Sequence, residues 1–129
     1  MKQEDKELLL KDLCARLPYG VKVNNEIQGD FVIYGVCEDY IFVRNTNSHV
    51  DFQIEKIKPY LFPLSSMTEG QKNKLGDELI ELQLKALSDE IDSSASSAYE
   101  IDYYNSHHID YRGFIPKGLA IDCTNLNIY

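Results

Sequence analysis

The feature that most constrains the fold is the spacing of short apolar runs between Val21 and Pro63, VKVNNEIQGDFVIYGVCEDYIFVRNTNSHVDFQIEKIKPYLFP. Val21 with Val23, Phe31 to Val36, Tyr40 to Val43 and Val50 to Ile54 are rich in β-branched and aromatic residues, and clusters of Asn, Gly, Asp and Ser separate them. Short links of this kind bring neighbouring strands together antiparallel. Ile54 to Pro59 predicts a tight helical turn, and Tyr60 to Phe62 a last short strand. The natural closure of five such strands is a small SH3-like antiparallel β-barrel. In Phe31-Val32-Ile33-Tyr34 both faces are apolar, which predicts cover from two sides, the outer one by the first helix or a C-terminal element. These aromatics read as core; the functional alternative is a peptide- or base-stacking platform of Tyr34, Tyr40 and Phe42.

Helical patterns flank this region. Leu10, Leu13, Cys14 and Leu17 recur at spacings of three and four, which predicts an N-terminal helix from about Glu4 to Arg16 with that side on the barrel. Pro18 ends it. Thr68-Glu69-Gly70-Gln71 has the form of a capping box and predicts a long helix from Thr68 to about Ile91. That helix carries two apolar stripes, Leu75, Leu79, Leu82 and Ala86 on one line and Ile80, Leu84, Leu87 and Ile91 on another. So wide a face is either covered on two sides or offers a homodimer surface over Leu75 to Ile91. The serine-rich run Ser93 to Ser97 predicts a flexible linker, followed by a short helix from about Ala98 to Ser106 and an irregular, tyrosine-bearing segment. The fold class expected is therefore α+β. Residues 1–64 form the N-terminal helix and barrel, 65–92 the long helix, and 93–129 the linker and C-terminal segment, as one domain with an appendage.

Composition narrows the classes of function. The chain has 129 residues and a formal charge of −8, which disfavours nonspecific nucleic-acid binding because that affinity comes from Lys and Arg displacing counterions. Most of the excess lies in the second half: between Lys85 and Arg112 there is no Lys or Arg, while Asp89, Glu90, Asp92, Glu100, Asp102 and Asp110 fall there. The acidic run reads as a solvated face, with mimicry of nucleic-acid charge as the sharper alternative. The N-terminus lacks the apolar stretch of a signal peptide and no run reaches membrane-spanning length. Cys14, Cys37 and Cys123 are widely spaced with no paired arrangement. These points together predict a cytoplasmic protein with reduced thiols and no membrane partner.

The candidate chemistry is sparse. His107 and His108 with Asp102, Asp110 and Asp122 are the one cluster of metal-ligand types, but adjacent side chains diverge and no H-x-x-x-H spacing accompanies them, so no metal or cofactor is expected. Cys37 or Cys123 would need an imidazole and a carboxylate brought to it in space, and Cys123 with His107 is the conceivable pair. Arg112-Gly113 and Lys117-Gly118 place a cation beside flexible backbone, which reads as a turn or as an anion site. The candidate ligand- or partner-binding residues are thus Tyr111, Arg112, Lys117, His107 and His108, with no catalytic residue assigned.

Three stretches carry a resemblance. ELLLKDLCARLPYGV at 7–21, KPYLFPLSSMTE at 58–69, and DYRG at 110–113 with KGLAID at 117–122 resemble a family of small uncharacterised proteins from gut anaerobic bacteria and their phages. The match covers the ends and the hinge, about half of the chain. It implies origin rather than chemistry: a prophage or mobile-element accessory protein. The function expected is a non-catalytic binding or adaptor protein acting by protein–protein interaction, possible partners including a host protein. The alternatives are a phage-type inhibitor of host defence, by charge mimicry or by sequestering a nucleotide signal, and a small metal-dependent enzyme.

Overall fold

The computed structural model describes all 129 residues, Met1 to Tyr129. In chain order the elements are α1 (Gln3–Arg16), β1 (Lys22–Asn25), β2 (Gly29–Cys37), β3 (Tyr40–Arg44), β4 (His49–Gln53), β5 (Lys58–Pro63), α2 (Glu69–Leu87), α3 (Ala95–Ser106), β6 (Ile109–Asp110) and β7 (Ile121–Asp122). The protein is α+β, with three helices on a mixed sheet. Single 3-10 turns at Leu17–Tyr19, Ile54–Lys56 and Leu64–Ser66 make the corners between elements. No helix is long and apolar enough to cross a membrane.

The first five strands form an antiparallel array in the spatial order β4-β3-β2-β1-β5; β1 to β4 are the predicted meander, and β5 returns to pair with β1. Val23 faces Phe31, Ile33 faces Val43, and Ile41 faces Phe52 across successive pairs, so the inward residues of each strand meet on one side. At Gly35 the register slips between β2 and β3, and its Cα stands so close to the Phe42 ring that an added Cβ would lie 3.4 Å from Cδ2. A glycine at this bulge lets the aromatic ring lie flat on the strand.

The expected closed barrel is not formed. No pairing joins β4 back to the far edge, and β5 instead takes up two short strands from the C-terminal segment, both parallel to it. Tyr60 and Leu61 align with Ile121 and Asp122, while Phe62 and Pro63 align with Ile109 and Asp110. The backbone groups of β5 that closure would need are thereby satisfied by distant residues: Phe62 N–H donates to His108 O at 2.8 Å and Cys123 N–H to Leu61 O at 3.0 Å.

The core is one cluster on the inner face of the sheet, built from Leu9 and Leu13 of α1, Val23, Phe31, Ile33, Ile41 and Val43 of the strands, and Phe114 and Ala120 of the C-terminal segment. That last segment therefore does not stand apart; its Phe114 is fully buried against residues almost a whole chain length away. A smaller cluster of Met67, Leu75 and Ile109 seats α2 on the edge of the sheet, with Leu79, Tyr103 and Tyr104 packed around it.

Three sequence-based expectations shift in detail. The buried side of α1 is Leu9, Asp12, Leu13 and Arg16, whereas Cys14 is exposed and Leu10 and Leu17 are half-buried. An acid and a base one turn apart neutralise each other and enter the apolar face, turning the helix from the orientation its leucines alone predict. On β2, Val32 is half-buried and Tyr34 is 46 % exposed, so no helix covers the outer face. The serine run is no linker: Ser94 is the N-cap of α3, and Ser96 and Ser97 lie in its first turn.

Candidate interaction surface

The sequence points first to the residues 107–117, and the structure divides them among three places. Tyr111, Arg112 and His108 gather around Arg16, at the seam where the ends of α1 and α3 meet β6. Arg16 donates from Nε to Asp12 Oδ2 at 2.7 Å and from Nη2 to Ile109 O at 2.7 Å, and both Arg16 and Asp12 are fully buried. Arg112 Nε donates to Asp12 Oδ1 at 3.1 Å from a side chain that is partly in solvent. The two guanidinium groups lie 5.7 and 5.0 Å from the centre of the Tyr111 ring, which in turn stacks on Tyr104 at 5.4 Å. A single carboxylate thus holds two cations and an aromatic stack, and this is the geometry of a structural rivet.

His108, within reach of the Arg16 charge, is stacked on Tyr129 with ring centres 3.6 Å apart. Burial, reinforced by the charge of Arg16, pushes its imidazole down to about 4, so it is neutral at physiological pH. Tyr129 is the clasp of the C-terminal tail: its hydroxyl accepts from Lys22 N–H at 2.8 Å and donates to Tyr60 O at 2.9 Å. Four buried polar atoms in or beside this seam have no protein partner, namely Arg16 Nη1, Asn105 Oδ1, His108 Nδ1 and Tyr111 Oη. His108 and Tyr111 are among the residues the sequence singles out; Arg16, Asn105 and the buried Asp12 are not. The one signal was the i, i+4 spacing of Asp12 and Arg16 in register with Leu9 and Leu13.

His107 and Lys117 lie elsewhere. His107 is exposed and stacks on Tyr103 at 4.1 Å, with Nδ1 2.9 Å from Tyr103 O. His107 lines a groove of about 790 Å³ between α2 and α3, with Tyr19, Tyr99, Tyr103 and Lys74 on its walls. Lys117 Nζ approaches Asp5 Oδ1 at 3.7 Å, beside the first turn of α1. Both Arg112-Gly113 and Lys117-Gly118 are turns, with φ of +78° and +74° at the glycines. Their organising group is the buried Asp110 carboxylate, which accepts from Phe114 N–H and Ile115 N–H at 2.8 Å each. The cations there are engaged by Asp12 and Asp5, and the five residues do not share a cavity.

Nor do the groups capable of covalent chemistry meet. Cys123 is buried, its thiol pushed up to about 11 by desolvation, and no imidazole hydrogen-bonds to it. Cys37 is exposed at the β2–β3 turn. The Asp122 carboxylate accepts from Thr124 Oγ1 and N, which holds it below the usual carboxylate range.

Two exposed surfaces remain. On the outer face of the sheet, Tyr34 lies 6.4 Å from Phe42 and 5.8 Å from His49, with the Arg44 guanidinium 5.6 Å above its ring. The rings tilt against one another and stay partly covered by their cross-strand neighbours. The larger surface is on α2. Of its two apolar stripes, Leu75, Leu79, Leu82 and Ala86 turn toward the rest of the fold and are buried or half-buried, and α3 packs beside the helix. Ile80, Leu84 and Leu87, on the opposite side, are 57 %, 61 % and 82 % exposed, while α2 ends at Leu87, four residues short of the expected end, and leaves Ile91 outside the stripe. Isolated surface leucines are ordinary; three at i, i+4 and i+7 form a continuous ridge without cover. Compared with family models, curated proteins and solved structures, the chain matches none.

Proposed function

We propose that this protein is a non-catalytic binding or adaptor module that works through protein–protein contact, as an accessory protein of a prophage or mobile element. On this reading the first five strands are an SH3-like scaffold and the α2–α3 hairpin is the contact arm. The observation that carries it is the uncovered second stripe of α2, Ile80, Leu84 and Leu87, on a helix whose other stripe is already engaged. An amphipathic helix has one apolar face to bury; the second face of α2 stabilises the monomer in no way and is kept in water at a cost. The deep polar groups support the same reading, since Asp12, Arg16, Asp110 and Tyr129 are spent on holding the scaffold.

Site-specific photo-crosslinking tests this. A benzophenone side chain at position 84 should yield one defined protein adduct, and the same group at Lys58, on the sheet, should not. Equal labelling from both positions, or none from 84, would rule out α2 as the contact face.

A second reading, sequestration of a nucleotide signal, is favoured by the α2–α3 groove, where three tyrosines and Lys74 offer stacking and a cation. Its test is a thermal shift with single nucleotides that is lost on Tyr103→Ala.

A further inference from the structure

We infer that the groove between α2 and α3 takes a free guanine mononucleotide, with Asp102 reading the base and Lys74 holding its one phosphate. This rests on the nucleotide reading of that groove and names the base and the charge of the ligand.

The walls supply the stacking. Tyr19, Tyr99 and Tyr103 all line the groove. Tyr103 already carries the His107 ring against it at 4.1 Å, whereas Tyr19 and Tyr99, 38 % and 39 % exposed, pair with no other ring of the chain. Such π-faces accept a nucleobase. Helix pairs close by packing apolar side chains. Along this groove α3 instead presents Tyr99, Asp102, Tyr103 and Ser106, and about 790 Å³ stays open, within the ~300–1,000 Å³ of small-molecule sites.

The charges narrow the occupant. Of the lysines of α2, Lys72 pairs with Glu69 and Lys85 with Glu81, but Lys74, on the groove, has no carboxylate partner. On α3, Glu100 accepts from the Tyr104 hydroxyl at 2.8 Å, while the Asp102 side chain, also on the groove, bonds nothing in the chain. A free cation from one helix and a free carboxylate from the other match a flat ligand with an anion and a pair of donors. An ionised carboxylate only accepts. Guanine offers it two adjacent donors, N1–H and the N2 amino group, whereas adenine, cytosine and uracil each set a single donor group beside acceptors. Lys74 is one point charge and the chain carries −8, so one phosphate is matched while the further charges of a triphosphate or an RNA strand are repelled.

The experiment is isothermal titration calorimetry of the purified full chain, with GMP, AMP, guanosine and GTP as probes at up to about 1 mM, the range of a weak site. GMP should give a saturable isotherm and bind at least about tenfold more tightly than AMP. Guanosine and GTP should both bind more weakly than GMP. Asp102→Asn should abolish the preference for GMP over AMP, and Lys74→Ala should bring GMP down to the affinity of guanosine. Both positions are exposed, and unchanged far-UV circular dichroism establishes that the variants fold.

AMP bound as tightly as GMP, or a GMP affinity indifferent to Asp102→Asn, overturns the guanine assignment and leaves the nucleotide reading of the groove standing. GTP bound more tightly than GMP, or GMP unmoved by Lys74→Ala, overturns the assignment of a single phosphate to Lys74. Absence of binding by all four probes, in calorimetry and in thermal shift alike, removes the inference and the nucleotide reading together.

Discussion

Replacing Asp12 by Asn gives the most demanding test of how this fold is held together. The substitution keeps the shape of the side chain and removes its charge, leaving Arg16 fully buried with only the Ile109 carbonyl as a strong acceptor. Breaking one partner of a buried pair costs roughly 3–5 kcal/mol, because the remaining charge is neither solvated nor matched. Asp12 also anchors Arg112, and both guanidinium groups bond its Oδ1, so two neighbouring cations would lose the one carboxylate they share. Arg112→Ala should cost only about 1 kcal/mol, since that side chain is partly in water and its removal leaves the Asp12–Arg16 pair intact. The double replacement of Asp12→Leu together with Arg16→Met should recover more than half of the Asp12→Asn loss by abolishing the buried charge altogether. The chain has no tryptophan, so unfolding in urea is followed by tyrosine fluorescence and far-UV circular dichroism. With a urea slope of roughly 1–3 kcal/mol/M, the Asp12→Asn midpoint should fall by about 1–5 M, or the variant should be unfolded without urea. An Asp12→Asn variant within about 1 kcal/mol of wild type at unchanged slope, or one more stable than Arg112→Ala, would refute the account of the seam.

The remaining predictions concern protonation, thiols and helix start. His108 titrates near 4 in the fold against about 6.5 when unfolded, so the unfolded chain binds the extra proton between those values. Its stabilising contribution is complete above pH 6.5 and is lost as pH falls toward 4, at most about 3 kcal/mol, discounted to roughly 2 for its partial exposure; His108→Gln should flatten urea stability across that window, and an unchanged slope would contradict it. In a thiol-reagent assay Cys14 and Cys37 should react at once and Cys123 only on unfolding; prompt reaction of all three would place Cys123 wrongly. Thr68→Ala removes an acceptor 3.1 Å from Gln71 N and dismantles the reciprocal cap, so it should cost about 1 kcal/mol in thermal or urea unfolding.

Where local pattern governs, the sequence was readable to within a residue or two. The strands at 22–25, 29–37, 40–44, 49–53 and 58–63 and the turn before the last of them follow from β-branched runs between Asn, Gly and Asp clusters. The start of α2 follows from Thr68 and Gln71, whose two hydrogen bonds are both made. The two stripes of α2 were legible as well, because helical periodicity depends on neighbours three and four residues away. Which stripe is covered was not legible, since that depends on where α3 returns.

What the order of residues determined by itself was thus the three helices, the first five strands and the presence of two apolar faces on one helix. Only the tertiary structure decided that the sheet stays open, with β6 and β7 satisfying the β5 backbone, and that Asp12 belongs inside. It also scattered Tyr111, Arg112, Lys117, His107 and His108 among three sites. The physical reason is range: propensity, capping and periodicity act within a few residues, whereas β5 pairs with a strand some sixty residues on and Arg16 donates to a carbonyl at Ile109. Contacts of that separation arise from the balance of burial and hydrogen-bond satisfaction over the whole chain, and no window of sequence contains both partners.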